Sequence, residues 1–350
     1  MTALALALRH PFSHLRAAAG DRVVLAFLAS LLVIGIVDSA QLLPSARFVL
    51  DALVSIAPFL ALAVALAAYA AASGADRLVA RVFSGSPVRT VALAALFGAL
   101  SPFCSCGVIP LIAAMLHAGV PLAPVMAFWL ASPVMDPEMF VLTAAGIGTG
   151  FAVAKTVAAA GVGLLGGFAV LALQRGGGVQ RPLAAGSPGG GCGTEFTAGE
   201  PKSIAWRFWP QPARRAEFRR VSLHTGAFLT KWLAIAFLAE SLMMAYVPAS
   251  WVATAVGDGS TFAIPLAAVV GIPTYLNGYA AIPLIAGLIE MGMSGGAALA
   301  FATAGAVSCI PAAIAVWALV RRSVFVLYLG LGLGGAMLAG LLYELGGAPI

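Results

Sequence analysis

Long apolar runs, separated by short polar turns, set the pattern of this chain. Segments 23–40, 48–72, 150–174, 225–247 and 323–345 are continuous in their hydrophobicity. A bilayer-crossing helix needs about 20 apolar residues, so each predicts a transmembrane helix, the first of them the shortest. Two further apolar stretches, 90–148 and 261–320, are too long for one crossing and are interrupted by proline, glycine and polar residues. They predict helices broken at membrane depth at four places: SPFCSCG (101–107), ASPVMDPE (131–138), GIPTYLNG (271–278) and AGAVSCIP (304–311).

The pattern repeats. Shifted by 173 residues, CGVIPLIAAMLHAGV (106–120) falls on YAAIPLIAGLIEMGM (279–293), and Ile109-Pro110-Leu111-Ile112 meets Ile282-Pro283-Leu284-Ile285 without a gap. Gly119 meets Gly292 and Phe128 meets Phe301, while Pro102 has a near counterpart in Pro273. The same shift carries 48–72 onto 221–245 and 150–174 onto 323–347, and it pairs the first break with the third and the second with the fourth.

Composition fixes the class. The chain is 61% hydrophobic and 9% charged, with a mean hydropathy of +1.02. Soluble domains carry roughly 25% charged residues, so the reading is an all-α polytopic membrane protein. The apolar run of MTALALALRHPFSHLR precedes its basic residues, which does not suit a signal peptide.

The formal charge of +6 does not mark a nucleic-acid binder, because the basic residues fill turns between spans. Arg9, Arg16 and Arg22 precede the first run, and Arg77, Arg81 and Arg89 fill one turn. Arg321 and Arg322 form another turn, and a fourth group, from Arg175 to Arg220, lies in the linker. Basic loops mark the cytoplasmic side, and Arg47 alone falls in a loop on the other side. Tracing the spans from an inside N-terminus makes 225–247 run opposite to 48–72, and 323–345 opposite to 150–174. The expected fold is therefore two inverted-topology repeats with interrupted helices, plus one extra N-terminal transmembrane helix, an arrangement typical of secondary transporters.

The expected divisions are a cytoplasmic lead-in (1–22), the extra helix (23–40), a first repeat (48–174), a cytoplasmic linker with a basic interfacial segment (175–224) and a second repeat (225–347). The linker is Gly-rich. Its last part, IAWRFWPQPARRAEFRR (204–220), mixes aromatics with arginines and is expected to lie on anionic lipid.

The breaks carry the candidate chemistry. Freed backbone at membrane depth is tolerated only inside protein or beside a wet cavity, and half-helix ends bind ions or polar groups there. The side chains at these places are Cys104, Ser105 and Cys106; Ser132, Asp136 and Glu138; Tyr275 and Asn277; Ser308 and Cys309. Thiolates prefer soft metals and metalloids. Cys104 and Cys106 diverge by about 200° on a helix, so joint chelation of one atom is not assured. Cysteine is also a common small buried hydrophobe, and both readings stand; a redox pair is a third.

Intramembrane acids are rare and tend to carry protons or cations, which brings forward Asp136, Glu138 and Glu240. Glu138 has a second reading as a helix-start residue after Pro137, and Glu240 as one with a backbone partner. Lys155, one turn into its span, is expected to snorkel to the interface. No GxxxxGK[ST] phosphate loop, His-rich cluster or cofactor motif is present. The chain reads as a transporter rather than an enzyme, with no cofactor and no metal centre.

At these residues the sequence resembles a known family. SPFCSCGVIPL, FWLASPVMDPE, LNGYAAIPL and FATAGAVSCIP look like the permease family that includes the ArsP organoarsenical efflux permeases, over roughly 25–345. The resemblance implies an inner-membrane permease that exports a small thiophilic solute, in the best-known branch a trivalent methylated or aromatic arsenical. Alternatives are a permease or channel for another small solute or metal, and a membrane thiol oxidoreductase. The expected partners are the solute, membrane lipids and a second copy of the chain in a homodimer, with no nucleic acid. The N-terminus is expected in the cytoplasm and the C-terminus on the periplasmic or extracellular side.

Overall fold

The computed structural model describes residues 22–74, 85–101, 105, 107–177, 182–183, 205–246, 262–274 and 278–346. Within them the chain is built of helices: α1 (Arg22–Val37), α2 (Ser39–Ser73), α3 (Pro87–Ala99), α4 (Val108–His117), α5 (Leu122–Ala131), α6 (Pro137–Gly146) and α7 (Thr149–Arg175) precede the linker. After it come α8 (Pro212–Tyr246), α9 (Ala263–Thr274), α10 (Gly278–Glu290), α11 (Gly295–Ser308), α12 (Ile310–Leu319) and α13 (Arg322–Leu345). Helices α2, α7, α8 and α13 are long and apolar enough to cross a membrane; α11 and α12, bent by 40° at Cys309, reach that length and hydropathy only together, as a broken span or a re-entrant pair. With this composition, the chain is a polytopic all-helical membrane protein.

The 173-residue offset recurs in the helix bounds. It carries both ends of α2 onto those of α8, both ends of α6 onto those of α12, and the start of α7 onto the start of α13. It also carries the close contacts. At Gly167 a side chain would meet Val91, Ala127 and Ala123; at Gly340 it would meet Ile264, Ala300 and Gly296. Gly98 lies against the backbone of Phe128, and Gly271 against that of Phe301. Helices α4 and α10 end in the same cap: Gly119 (φ 84°) and Gly292 (φ 103°) take the left-handed conformation glycine permits. Val120 and Met293 then donate back to Met115 and Leu288, at 3.0 Å each.

Each long helix lies antiparallel to its 173-shifted counterpart. Between α2 and α8, Tyr246 donates to Asp38 at 3.0 Å, Ser241 donates to Ser45 at 3.0 Å, and Arg214 donates to the carbonyls of Ala72 and Ser73 at 3.1 and 2.9 Å. Between α7 and α13, Phe151 meets the Tyr343 ring edge-on at 6.1 Å, and Val162 lies against Gly335.

Three expectations need correction. The loop read between 40 and 48 is helical: Asp38 accepts from the Gln41 N–H at 3.3 Å and starts α2 at Ser39, so Arg47 sits on a helix rather than in a loop. The short first run yields the 16-residue α1, below the length of a clean crossing. The aromatic segment after the linker does more than lie on lipid. Phe208 is fully buried and packs with Tyr69, Trp209 and Phe218, while Tyr69 donates to the Trp206 carbonyl at 2.7 Å. With the Arg214 guanidinium on the last carbonyls of α2, this segment docks the linker onto that helix end. Trp206 and Trp209 stay exposed and can still meet lipid headgroups.

The tight helix crossings generate a prediction. Gly167→Leu or Gly340→Leu forces a side chain into neighbouring backbone and methyl groups and should cost about 1–3 kcal/mol or more. Gly161→Leu, with nothing within 4 Å of its added Cβ, should be tolerated. Monodispersity and melting temperature in detergent check this; equal behaviour of all three variants would contradict the crossings.

Candidate functional site: the junction of the helix breaks

The first break joins α3 to α4, and the second joins α5 to α6. They touch through serine hydroxyls. Ser101 donates to the Gly98 carbonyl at 2.7 Å, and the Ser101 and Ser132 oxygens are 2.6 Å apart. A hydroxyl has one proton, so with Ser101 committed to Gly98, Ser132 is the donor of the pair. Both serines are buried. This relay consumes polar groups released where α3 and α5 stop.

The first break also reaches the fourth. Ser105 Oγ lies 3.3 Å from Cys309 Sγ across more than two hundred residues of chain. Cys309 is buried. It stands between α11 and α12 with φ −54° and ψ 154°, so it turns the span rather than continuing it. Its neighbour Ser308 is fully buried and donates to Ala304 at 2.7 Å, a local bond within the helix. The Tyr328 hydroxyl of α13 donates to the Val307 carbonyl in the last turn of α11. Its ring stacks on Trp129 of α5 at 4.8 Å and 28°. Breaks one, two and four are thereby drawn together through α3, α5, α11 and α13.

Cys104, Cys106, Tyr275 and Asn277 lie outside the described residues. Asp136 is half-buried and N-caps α6, its carboxylate accepting from the Met139 N–H at 2.8 Å. Glu138 is exposed in the first turn of that helix, where an acid suits the helix dipole. Glu240 is buried on α8, and its Oε2 makes no hydrogen bond among the described residues. It stands beside Ser241 in the seam with α2, where Gln41 donates to Ser45 at 3.2 Å and Ser241 does so at 3.0 Å. None of the described contacts links Glu240 to the breaks. Met115, Met126, Met135 and Met139 are all buried in the core.

Lys155 overturns its expectation. It is 2% exposed and does not snorkel, because its helix face turns inward with Ala152, Ala158 and Ala159. Ser101, Tyr328 and Trp129 were not singled out in the sequence. Ser101 is the first residue of a recognised break and could have been read there; Tyr328 stands 173 residues from Lys155, a signal the offset already carried.

Among the described residues, no cluster of three or more His, Cys, Asp or Glu side chains could hold a metal ion. A groove of about 470 Å³ between α7 and α13, lined by Val157, Gly161, Gly335 and Leu338, is almost wholly apolar and opens outward. It carries none of the break chemistry. Ser132, Ser308 and Cys309 are instead buried.

Comparison with known proteins bears on this geometry. Residues 42–345 match the ArsP_1 family, described as predicted permease. The UPF0718 protein YcgR of Bacillus subtilis (strain 168) is 33% identical over 85 residues, which are 24% of this chain and 29% of that protein. The match thus spans under a third of that relative's length. No solved structure matches the chain.

The junction predicts a cross-link. With Cys104, Cys106 and Cys192 replaced by serine, Ser105→Cys should form an intramolecular disulfide with Cys309 under mild oxidation, seen by peptide mass spectrometry. A chain that keeps both thiols free under those conditions would contradict the contact between breaks one and four.

Proposed function

The chain belongs to that family of predicted permeases, and from this premise we propose that it exports a small thiophilic solute, a trivalent organoarsenical, from the cytoplasm. Its two halves act as inverted repeats, and the solute binds where their helix breaks meet. The support is the 173-residue offset in helix bounds and contacts, together with the antiparallel packing of α2 on α8 and of α7 on α13. Half-helix ends facing a common centre can hold a polar solute without a fixed charge.

One observation carries the reading most directly: the Ser105–Cys309 contact brings a cysteine sulfur of one half against a break of the other. Sulfur is the soft donor that trivalent arsenic prefers. In this reading Cys104, Ser105 and Cys106 face the solute from the first break, Ser132 from the second, Tyr275 and Asn277 from the third, and Ser308 and Cys309 from the fourth. Asp136, Glu138 and Glu240 are the acids available for proton or ion coupling, and the unpartnered Glu240 oxygen suits such a role. The protein sits in the inner membrane with its N-terminus and linker in the cytoplasm and its C-terminus outside. No catalysed reaction is part of the proposal.

Everted vesicles containing the protein should accumulate methylarsenite under an imposed proton gradient. Cys309→Ser should lower that accumulation at least tenfold, and Cys104→Ser or Cys106→Ser should do the same where those thiols contact the solute. Wild-type vesicles that accumulate no more than empty ones would reject the solute, and full activity in all three variants would reject thiol recognition.

A further inference from the structure

Lys155 is a buried cation that the reading so far leaves unused. Helix α7 runs antiparallel to α5: Gly163 lies against Ala127 and Ala131, Gly166 against Leu130, and Gly167 against Ala123 and Ala127. Lys155 stands two turns before Gly163, about 12 Å along the axis, which puts it beyond the end of α5, level with the second break and the start of α6. It is 2% exposed. Among the described residues it makes no hydrogen bond and no ion pair at contact distance.

The 173-residue offset shows what is unusual here. It carries Lys155 onto Tyr328 and Asp136 onto Cys309. In the second half both members are neutral and satisfied: Tyr328 donates to Val307 and stacks on Trp129, and Cys309 contacts Ser105. In the first half the same two positions hold an ammonium and a carboxylate. Trp129 itself is carried onto Ala302, so no large ring takes the matching place beside Lys155. One half-site is soft and packed; the other is titratable.

We infer that Lys155, with Asp136 as its counter-charge, is the proton-coupling site of the permease, the charged counterpart of the thiol half-site. The inference rests on the permease reading above. A buried ammonium without hydrogen bonds is costly unless an opposite charge offsets it. Asp136 supplies that charge from the N-cap of α6, the level at which Lys155 stands, with no ion-pair contact between the two side chains. In the cycle, the Lys155 ammonium passes one proton to water on the side to which the break opens and regains one from the other side.

The elements packed on α7 offer few other charges. Glu138 on α6 and Arg89 on α3 are exposed; α5 and α11 carry none. On α13, Glu344 accepts from the Gly296 N–H at 2.8 Å, Tyr343 meets Phe151, and Arg322 stacks on Trp317 at the opposite end.

The test uses the purified full-length protein in proteoliposomes, with labelled methylarsenite as probe. Two quantities are compared: accumulation driven by a proton gradient, and solute exchange with no gradient. Their ratio should fall at least tenfold in Lys155→Gln. It should fall equally in Lys155→Arg, because arginine keeps the charge and the volume but does not release a proton. A ratio within twofold of wild type in either variant, or rescue by arginine, overturns the inference in favour of a structural or anion-binding lysine. Absence of exchange in the wild type faults the solute instead. The charge pair is then judged without solute, by melting temperature in detergent. The double variant Asp136→Asn/Lys155→Gln should lose clearly less than the sum of the single losses, and additive losses overturn the pairing.

Discussion

A helix interrupted inside a bilayer frees N–H and C=O groups that lipid cannot satisfy. Every unusual feature of this protein follows from that constraint. The interruptions are tolerable only where protein surrounds them, and the first, second and fourth are drawn together. The Ser132–Ser101–Gly98 relay, the Tyr328 bond to Val307 and the Asp136 cap on α6 are the means by which the freed groups are satisfied. The close crossings at Gly98, Gly167, Gly271 and Gly340 let the surrounding helices approach near enough to enclose them. What results is a polar, thiol-bearing junction inside an apolar shell, which suits a permease.

The two halves solve this problem with the same geometry and different chemistry. Matching positions hold Lys155 and Asp136 in one and Tyr328 and Cys309 in the other. The crossings and caps follow the shared 173-residue offset, while the matching break positions differ, a lysine and an aspartate in one half and a tyrosine and a cysteine in the other.

Much of this was legible in the sequence. The run Ile-Pro-Leu-Ile, recurring at 109 and 282, fixed the offset that the crossings and the paired glycine caps later followed. Proline and glycine clusters marked the breaks, because their backbone chemistry is local. The misreadings have a common cause: each concerned a residue whose role is set by a distant partner or by a single cap. Asp38 starts α2 early through one hydrogen bond, which hydropathy does not register. Lys155 looked like a snorkelling residue because depth in a span says nothing of which face it occupies. The aromatic segment 204–220 looked membrane-bound because the buried environment of Phe208 is supplied by Tyr69, far away in sequence.

The central claim is that equivalent elements of the two halves point in opposite directions across the membrane. Its most direct test is side-specific labelling of single cysteines placed at Ser86, just before α3, and at Phe262, just before α9, the helix equivalent to α3. Both positions are exposed. With the native cysteines replaced, a membrane-impermeant maleimide should reach Ser86→Cys only from the cytoplasmic face and Phe262→Cys only from the opposite face. Labelling of both positions from one and the same face would contradict the account.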